Sequence, residues 1–221
     1  MDVEIKVKCR VCGIPSEEFY KDTRTFYKCP VCFLIFTEEM ADEKGSEEHY
    51  KKQWREVDPA FFKQQSDVLL DVANRFVKPE RILDYGSGSG GITLELRSRG
   101  YDVTPLEPME HGYLKDQEYP HLFNLVIGVE VVEHLPNLWE ELGELDKILE
   151  PGGVIIFSTG MTDKFIEHPQ AVEVFKRWWY KDDQTHVSFF CADSVAMIAH
   201  RMEYESYFLG DQLFVLKKPA L

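Results

Sequence analysis

Three groups of residues in this chain have the types and spacings that chemistry requires. Near the amino terminus stand Cys9 and Cys12, then sixteen residues, then Cys29 and Cys32. Two thiolates at that short spacing grip one ion from a tight turn, and a second pair completes a tetrahedron, so a structural zinc ribbon is expected over residues 1–37. The second group is Arg81-Ile82-Leu83-Asp84-Tyr85-Gly86-Ser87-Gly88-Ser89-Gly90-Gly91, an apolar run, an acid and then alternating glycines. Glycine allows a turn at positive φ and a close backbone approach to a ligand, which makes this stretch a cradle for a nucleotide. The third is Glu130, Glu133 and His134, whose i, i+3, i+4 spacing puts two carboxylates and an imidazole on one face if the chain is helical there.

Each group needs elements to hold it. Phe61, Val68, Leu69, Val72, Ala73 and Phe76 recur near helical spacing and Pro79 stops the run, which predicts a helix and a domain boundary near Pro59. Arg81 to Tyr85 reads as a strand, and Ile92 to Arg99 as the helix that follows the glycine turn. Tyr101 to Leu106 reads as a second strand with Glu107 at its end. An acid about 20 residues beyond such a turn is placed to accept hydrogen bonds from both hydroxyls of a ribose. Phe123 to Val129 is a continuous apolar run suited to a buried parallel strand. It leads into Glu130, and an amphipathic helix with Leu138, Leu142, Leu145, Ile148 and Leu149 follows. That helix ends at Glu150-Pro151-Gly152-Gly153, and a further strand runs from Val154 to Ser158. Residues 203–209 and 213–217 form a hairpin around Gly210-Asp211.

The acid of Asp84 with glycines at every second position resembles motif I of the class I S-adenosylmethionine (SAM) methyltransferases. The order strand, helix, Leu-x-Pro-Gly-Gly, strand after Phe123 is similar to the fourth and fifth strands of that fold, and the last hairpin to its reversed final strand. The resemblance spans residues 59–221 and implies a Rossmann-like α/β sheet. It implies SAM as cofactor, with Asp84, Gly86, Gly88, Gly90, Glu107 and Glu130 around it. The segment from Pro108 to His121 is too short for the helix and third strand usual there, so an abridged sheet is expected. The string Glu-x-x-Glu-His is similar to the divalent-metal motif of ubiquinone-pathway O-methyltransferases and of small-RNA 2′-O-methyltransferases. By that resemblance Glu130, Glu133, His134 and His186 could hold magnesium or manganese, and His134 or His186 could act as the base. The expected reaction is methyl transfer to a hydroxyl oxygen of a sugar, phenol or quinol.

Other readings of the same residues stay open at this level. Gly86, Gly88 and Gly91 also fit a dinucleotide fingerprint, and Glu107 suits either nucleotide. Carbon methylation of a sugar-type acceptor and a non-catalytic SAM-binding module are alternatives. RNA is a third, for which the ribbon's Lys6, Lys8, Arg10, Lys21, Arg24 and Lys28 are the one favourable feature. The net charge of −14 over 221 residues argues against nucleic acid as a partner. No apolar stretch approaches a membrane span and Met1-Asp2-Val3-Glu4 is not a secretory start, so a cytoplasmic protein is expected. Residues 38–58, rich in Glu and Asp, read as an acidic linker, and Cys191 as a small core residue. The stretch from Thr159 to Phe190 reads as a lid, whose Phe165, Phe175, Trp178, Trp179 and Tyr180 either wall the acceptor or pack the lid on the core.

Overall fold

The computed structural model describes residues 7–40 and 58–220; most of the acidic linker lies outside the described residues. Its centre is a six-stranded sheet of β4 (Arg81–Tyr85), β5 (Asp102–Leu106), β6 (Phe123–Val129), β7 (Leu149–Ser158), β9 (Glu205–Leu209) and β10 (Leu213–Lys217). The order is β5-β4-β6-β7-β10-β9, parallel from β5 to β7, with β10 antiparallel to both β7 and β9. Strands buried on both faces need apolar residues at every position, which is why Ile82 and Leu83, or Leu125 and Val126, are equally buried. Odd and even positions then feed two separate cores.

One core packs α1 (Pro59–Ala73) and α2 (Gly91–Ser98) on the sheet through Leu69, Val72, Ile92 and Leu96, meeting Ile82 and Ile127. The opposite face is covered by α4 (Leu138–Ile148) and α6 (Ala192–Met202), with Leu142, Leu145, Val195 and Ile198 against Leu83 and Val126. Between β5 and β6 the chain makes only the four-residue α3 (Pro108–His111) and a 3-10 turn at Leu114–Asp116, so the abridgement expected there is present.

The cysteine-bearing segment is built into this body. Strands β1 (Glu17–Lys21), β2 (Thr25–Lys28) and β3 (Ile35–Phe36) form an antiparallel sheet whose fourth strand, β8 (Ser188–Phe189), comes from far along the chain and pairs with β3. Val11, Leu34 and Phe36 join the core under α4 and α6. Phe26 and Ile35 form a third core with Phe165, Phe175, Tyr180 and Phe189, beside the short α5 (Ala171–Lys176). The sheet therefore crosses the sequence boundary between residues 1–37 and 59–221. A piece with so few apolar side chains gains its buried area from the larger body.

Candidate functional site

The glycine turn follows β4. Gly86, Gly88 and Gly90 all have positive φ, of 71°, 52° and 75°. Only glycine adopts that backbone without strain, and the turn ends with Gly90 as the cap of α2. Glu107 folds back over it from the end of β5. Its Oε2 accepts the amide of Gly88 at 3.0 Å and its Oε1 that of Met109 at 3.3 Å, so the acid and the turn form one unit. Each carboxylate oxygen keeps a lone pair for a ribose hydroxyl.

Asp84 lies under the turn, where it braces the cradle and does not line it. It is 2% exposed, and Thr93 Oγ1 in α2 donates to its Oδ2 at 2.5 Å. Burial pushes its carboxyl up from 3.8 to about 6. A raised pKa means the folded state holds the proton more tightly than the unfolded chain, so this group favours folding at low pH and costs stability as pH rises from about 4 through 6. At about 1.4 kcal/mol per pH unit the cost at neutrality is ~3 kcal/mol. Asp84→Asn keeps the acceptor for Thr93 and removes the charge. Denaturant titrations should show wild type losing more stability across that window than the variant, which keeps the raised carboxyls of Glu107, Glu130 and Glu133; equal slopes in both would remove Asp84 as the cause.

At the end of β6, Glu130 takes a positive φ of 54°, which a side chain adopts only under constraint. The chain then makes a 3-10 turn over Val132–His134. The helical turn expected to carry Glu130, Glu133 and His134 is a 3-10 turn entered through that left-handed residue. Glu133, His134 and His186 bring one ligand atom each within 4.8 Å of one another, and Glu130 adjoins that group through the Tyr180 hydroxyl that it shares with Glu133. The rings of His134 and His186 are 4.5 Å apart, and Glu133 Oε1 lies 3.9 Å from His134 Nε2 and 4.0 Å from His186 Nε2. His186 Nδ1 lies 2.8 Å from the carbonyl of Tyr180, which can hold the Nδ1–H tautomer and leave Nε2 as the ligand atom.

Tyr180, in the 3-10 turn Trp179–Asp182, links the cluster to Glu130. Its hydroxyl lies 2.9 Å from Glu130 Oε2, 3.0 Å from Thr159 Oγ1 and in a short contact with Glu133 Oε1. A phenol carries one proton and cannot donate to two carboxylates, so the pair needs a second proton. Burial pushes Glu133 well above the usual carboxylate range, and the nearby charge of Glu130 adds to this. Glu133 is fully buried and its Oε2 has no hydrogen-bond partner. A cation would displace that proton and engage that oxygen. With Glu130 outside the group, the donors are two imidazoles and one carboxylate, which suit manganese or zinc better than oxygen-seeking magnesium.

Next to this cluster a cleft of about 390 Å³ opens at the ends of β6 and β7, between Phe61 and Gln65 of α1 and the 160–180 segment. Glu130, Ser158, Trp178, Trp179 and Tyr180 line it. His134 and His186 are not among the lining residues, because the Tyr180 ring sits against His186 at 4.1 Å between centroids. Sequence reasoning placed Tyr180 among lid aromatics and missed its hydroxyl chemistry; no local pattern distinguishes it from Trp178 or Phe175.

The four cysteine sulfurs also lie within 4.8 Å of one another, with Cys9 and Cys32 3.5 Å apart and Cys12 and Cys29 3.4 Å apart. The amide of Val11 points at Cys9 Sγ, and those of Val31 and Cys32 point at Cys29 Sγ, the donors that stabilise thiolate on an ion. The proton is shared unevenly: the Cys32 thiol holds Cys9 down at about 5, while burial pushes Cys12 up to about 11. Four thiolates become compatible only around a cation, and the residues fit zinc.

A parallel sheet closed by a reversed strand, with a glycine turn and acid at its carboxyl end, defines the class I SAM-dependent methyltransferase fold. The family described as "Methyltransferase domain" matches residues 51–206, and the chain belongs to it. The ubiquinone biosynthesis O-methyltransferase of Rickettsia akari is 29% identical over a match covering 39% of this chain and 42% of that protein. The malonyl-[acyl-carrier protein] O-methyltransferase of Enterobacter lignolyticus is 31% identical, over 53% and 50%. The matches thus span half or less of these relatives' length. Among solved structures, the plantazolicin methyltransferase BpumL in complex with SAH aligns with a TM-score of 0.58 at 13% identity, covering 80% of this chain and 91% of that one. DesVI of Streptomyces venezuelae gives 0.52 at 16%, over 81% and 100%. Among the described residues no helix is long and apolar enough to cross a membrane.

Proposed function

We propose that the protein transfers a methyl group from SAM to a hydroxyl oxygen of a small acceptor bound in the cleft beside Glu130. The observation that carries this is the placement of Glu130: it stands at the end of β6, lines the cleft, and is backed by Tyr180 and Ser158. Bound SAM supplies an electrophilic methyl on a sulfonium. The glycine turn and Glu107 hold its nucleoside. Glu130 takes the proton of the acceptor hydroxyl as the oxygen–carbon bond forms and the sulfur–carbon bond breaks, leaving a neutral thioether. Trp178 and Trp179 give the cleft an aromatic wall suited to a planar ring. A divalent ion on Glu133, His134 and His186 would act as a Lewis acid behind Tyr180. The four cysteines would hold a structural zinc, whose thiolate ligands persist in a reducing compartment such as the cytoplasm.

The basic cluster that favours RNA is reduced, with Lys8 and Lys21 left exposed. Arg24 is buried, and the Arg10 and Lys28 side chains are bonded to carbonyls of the methyltransferase body.

The test is labelled-methyl transfer from SAM to a catechol probe, 3,4-dihydroxybenzoate, with the product's methyl assigned to oxygen or carbon by NMR. Glu130→Gln should lower kcat by about 100-fold or more, within the range for loss of a general base, with affinity for S-adenosylhomocysteine unchanged. An O-methyl product formed equally fast by the variant would remove Glu130 as base, and a C-methyl product would replace the oxygen reading. Manganese added after chelation should raise the rate if the second ion site operates.

A further inference from the structure

The loop that carries His186 is wrapped around a cation from a distant part of the chain. Arg24, in the turn between β1 and β2, is only 5% exposed. Its Nη1 donates to the carbonyls of His186 at 2.9 Å and Gln184 at 3.3 Å, and its Nη2 to those of Asp183 at 2.9 Å and Lys181 at shorter range. Four carbonyls from six consecutive residues converge on one guanidinium. Carbonyl dipoles aimed at one point repel one another, and buried without a donor each would be unsatisfied. A guanidinium is the one side chain with enough donors in a planar fork to satisfy them together.

The consequence reaches the cluster through two further contacts. The His186 ring is set by its own Nδ1 against the Tyr180 carbonyl, one residue before the first carbonyl that Arg24 holds. The amide of Val187 donates to the Glu133 carbonyl at 2.9 Å, tying the end of the loop to the 3-10 turn. The position of the His186 ring therefore depends on the turn that the guanidinium templates.

We infer that Arg24 is a positioning residue for the candidate site: its guanidinium is the core on which residues 181–186 fold, and through that loop it sets His186 against Glu133 and His134. The inference rests on the proposed function only in treating this cluster as part of the site, and its test needs neither acceptor nor ion in the cluster.

The experiment records the ring nitrogens of the histidines by ¹⁵N NMR in the full chain carrying one equivalent of zinc, enough for the four cysteines and not for the histidine cluster. In wild type His186 should show a single Nδ1–H tautomer. In Arg24→Ala its nitrogens should shift to the averaged pattern of a solvated imidazole, with His121, His168 and His200 unmoved and zinc still bound. Millimolar guanidinium chloride should restore the wild-type pattern, whereas ammonium chloride at the same ionic strength should not. A merely structural defect would not be reversed by that one ion. Unmoved His186 signals in Arg24→Ala, or equal rescue by ammonium, would overturn the inference. Should Arg24→Ala fail to fold, Arg24→Lys, which keeps charge but loses the fork, is read instead: shifted His186 signals support the inference and unchanged ones overturn it. Absence of methyl transfer to the catechol probe would sink the proposed function and leave this result standing.

Discussion

With zinc held by the four cysteines as proposed, Cys32→Ser is expected to lose the ion and lower the melting temperature by more than about 10 °C, with damage extending well beyond the amino-terminal segment. A structural zinc on cysteine ligands contributes on the order of 10–16 kcal/mol of apparent binding free energy, against a whole-domain stability of about 5–15 kcal/mol. In a separable ribbon that loss would stay local. Here Cys9, Cys29 and Cys32 are buried in the same core as Leu142, Phe190 and Val195, and the Cys32 carbonyl lies 3.4 Å from the Cys191 thiol. Strand β3, three residues past Cys32, pairs with β8, two residues past His186. Loss of the ion should thus unpair β8 and release the 181–189 segment. Zinc content, calorimetric melting and near-ultraviolet circular dichroism check this together. A variant that loses zinc but keeps the wild-type melt and aromatic signal would show that the ribbon is held by packing alone.

What the sequence discloses and what it hides divide along physical lines. The glycine turn, the buried strands β6 and β7 and the cysteine knuckles are legible because each is a local requirement: positive φ, burial on both faces, two ligands within one turn. The missing third strand is legible too, since fourteen residues from Pro108 to His121 cannot hold a helix and a strand. The i, i+3, i+4 spacing of Glu130, Glu133 and His134 presumes an α-helix, whereas the chain passes through a left-handed residue into a 3-10 turn and Glu130 adjoins Glu133 through Tyr180 instead. Arg24 stands among lysines and another arginine on a short ribbon and looks like solvated charge; only the fold brings four carbonyls to it. Strand β8 is two residues long, and nothing in Ser188-Phe189 specifies Ile35 and Phe36 as its partners. These misses share one cause: the contact is made by tertiary placement, and the residue types alone suit several placements.

Gly86→Ala should weaken binding of S-adenosylhomocysteine by about 100-fold or more, equivalent to nearly 3 kcal/mol, measured by calorimetry. Two effects add. The backbone at φ 71° disfavours any side chain by roughly 1–2 kcal/mol. A Cβ at this position would also stand 2.4 Å from Val131 Cγ2, closer than atoms can approach, so something must move. Val131 lies between Glu130 and the turn that holds Glu133 and His134, so the displacement that makes room for one methyl disturbs both the cofactor cradle and the acceptor end of the cleft. Gly90→Ala is the control that separates these effects. Its φ is 75°, but a Cβ there meets no atom within 4 Å, so it carries the backbone strain without the collision. A loss of about tenfold or less at Gly90 beside a far larger one at Gly86 would assign the excess to Val131. Equal losses at both would mean that the open space above Gly90 is where the nucleoside lies, and that Val131 yields at little cost.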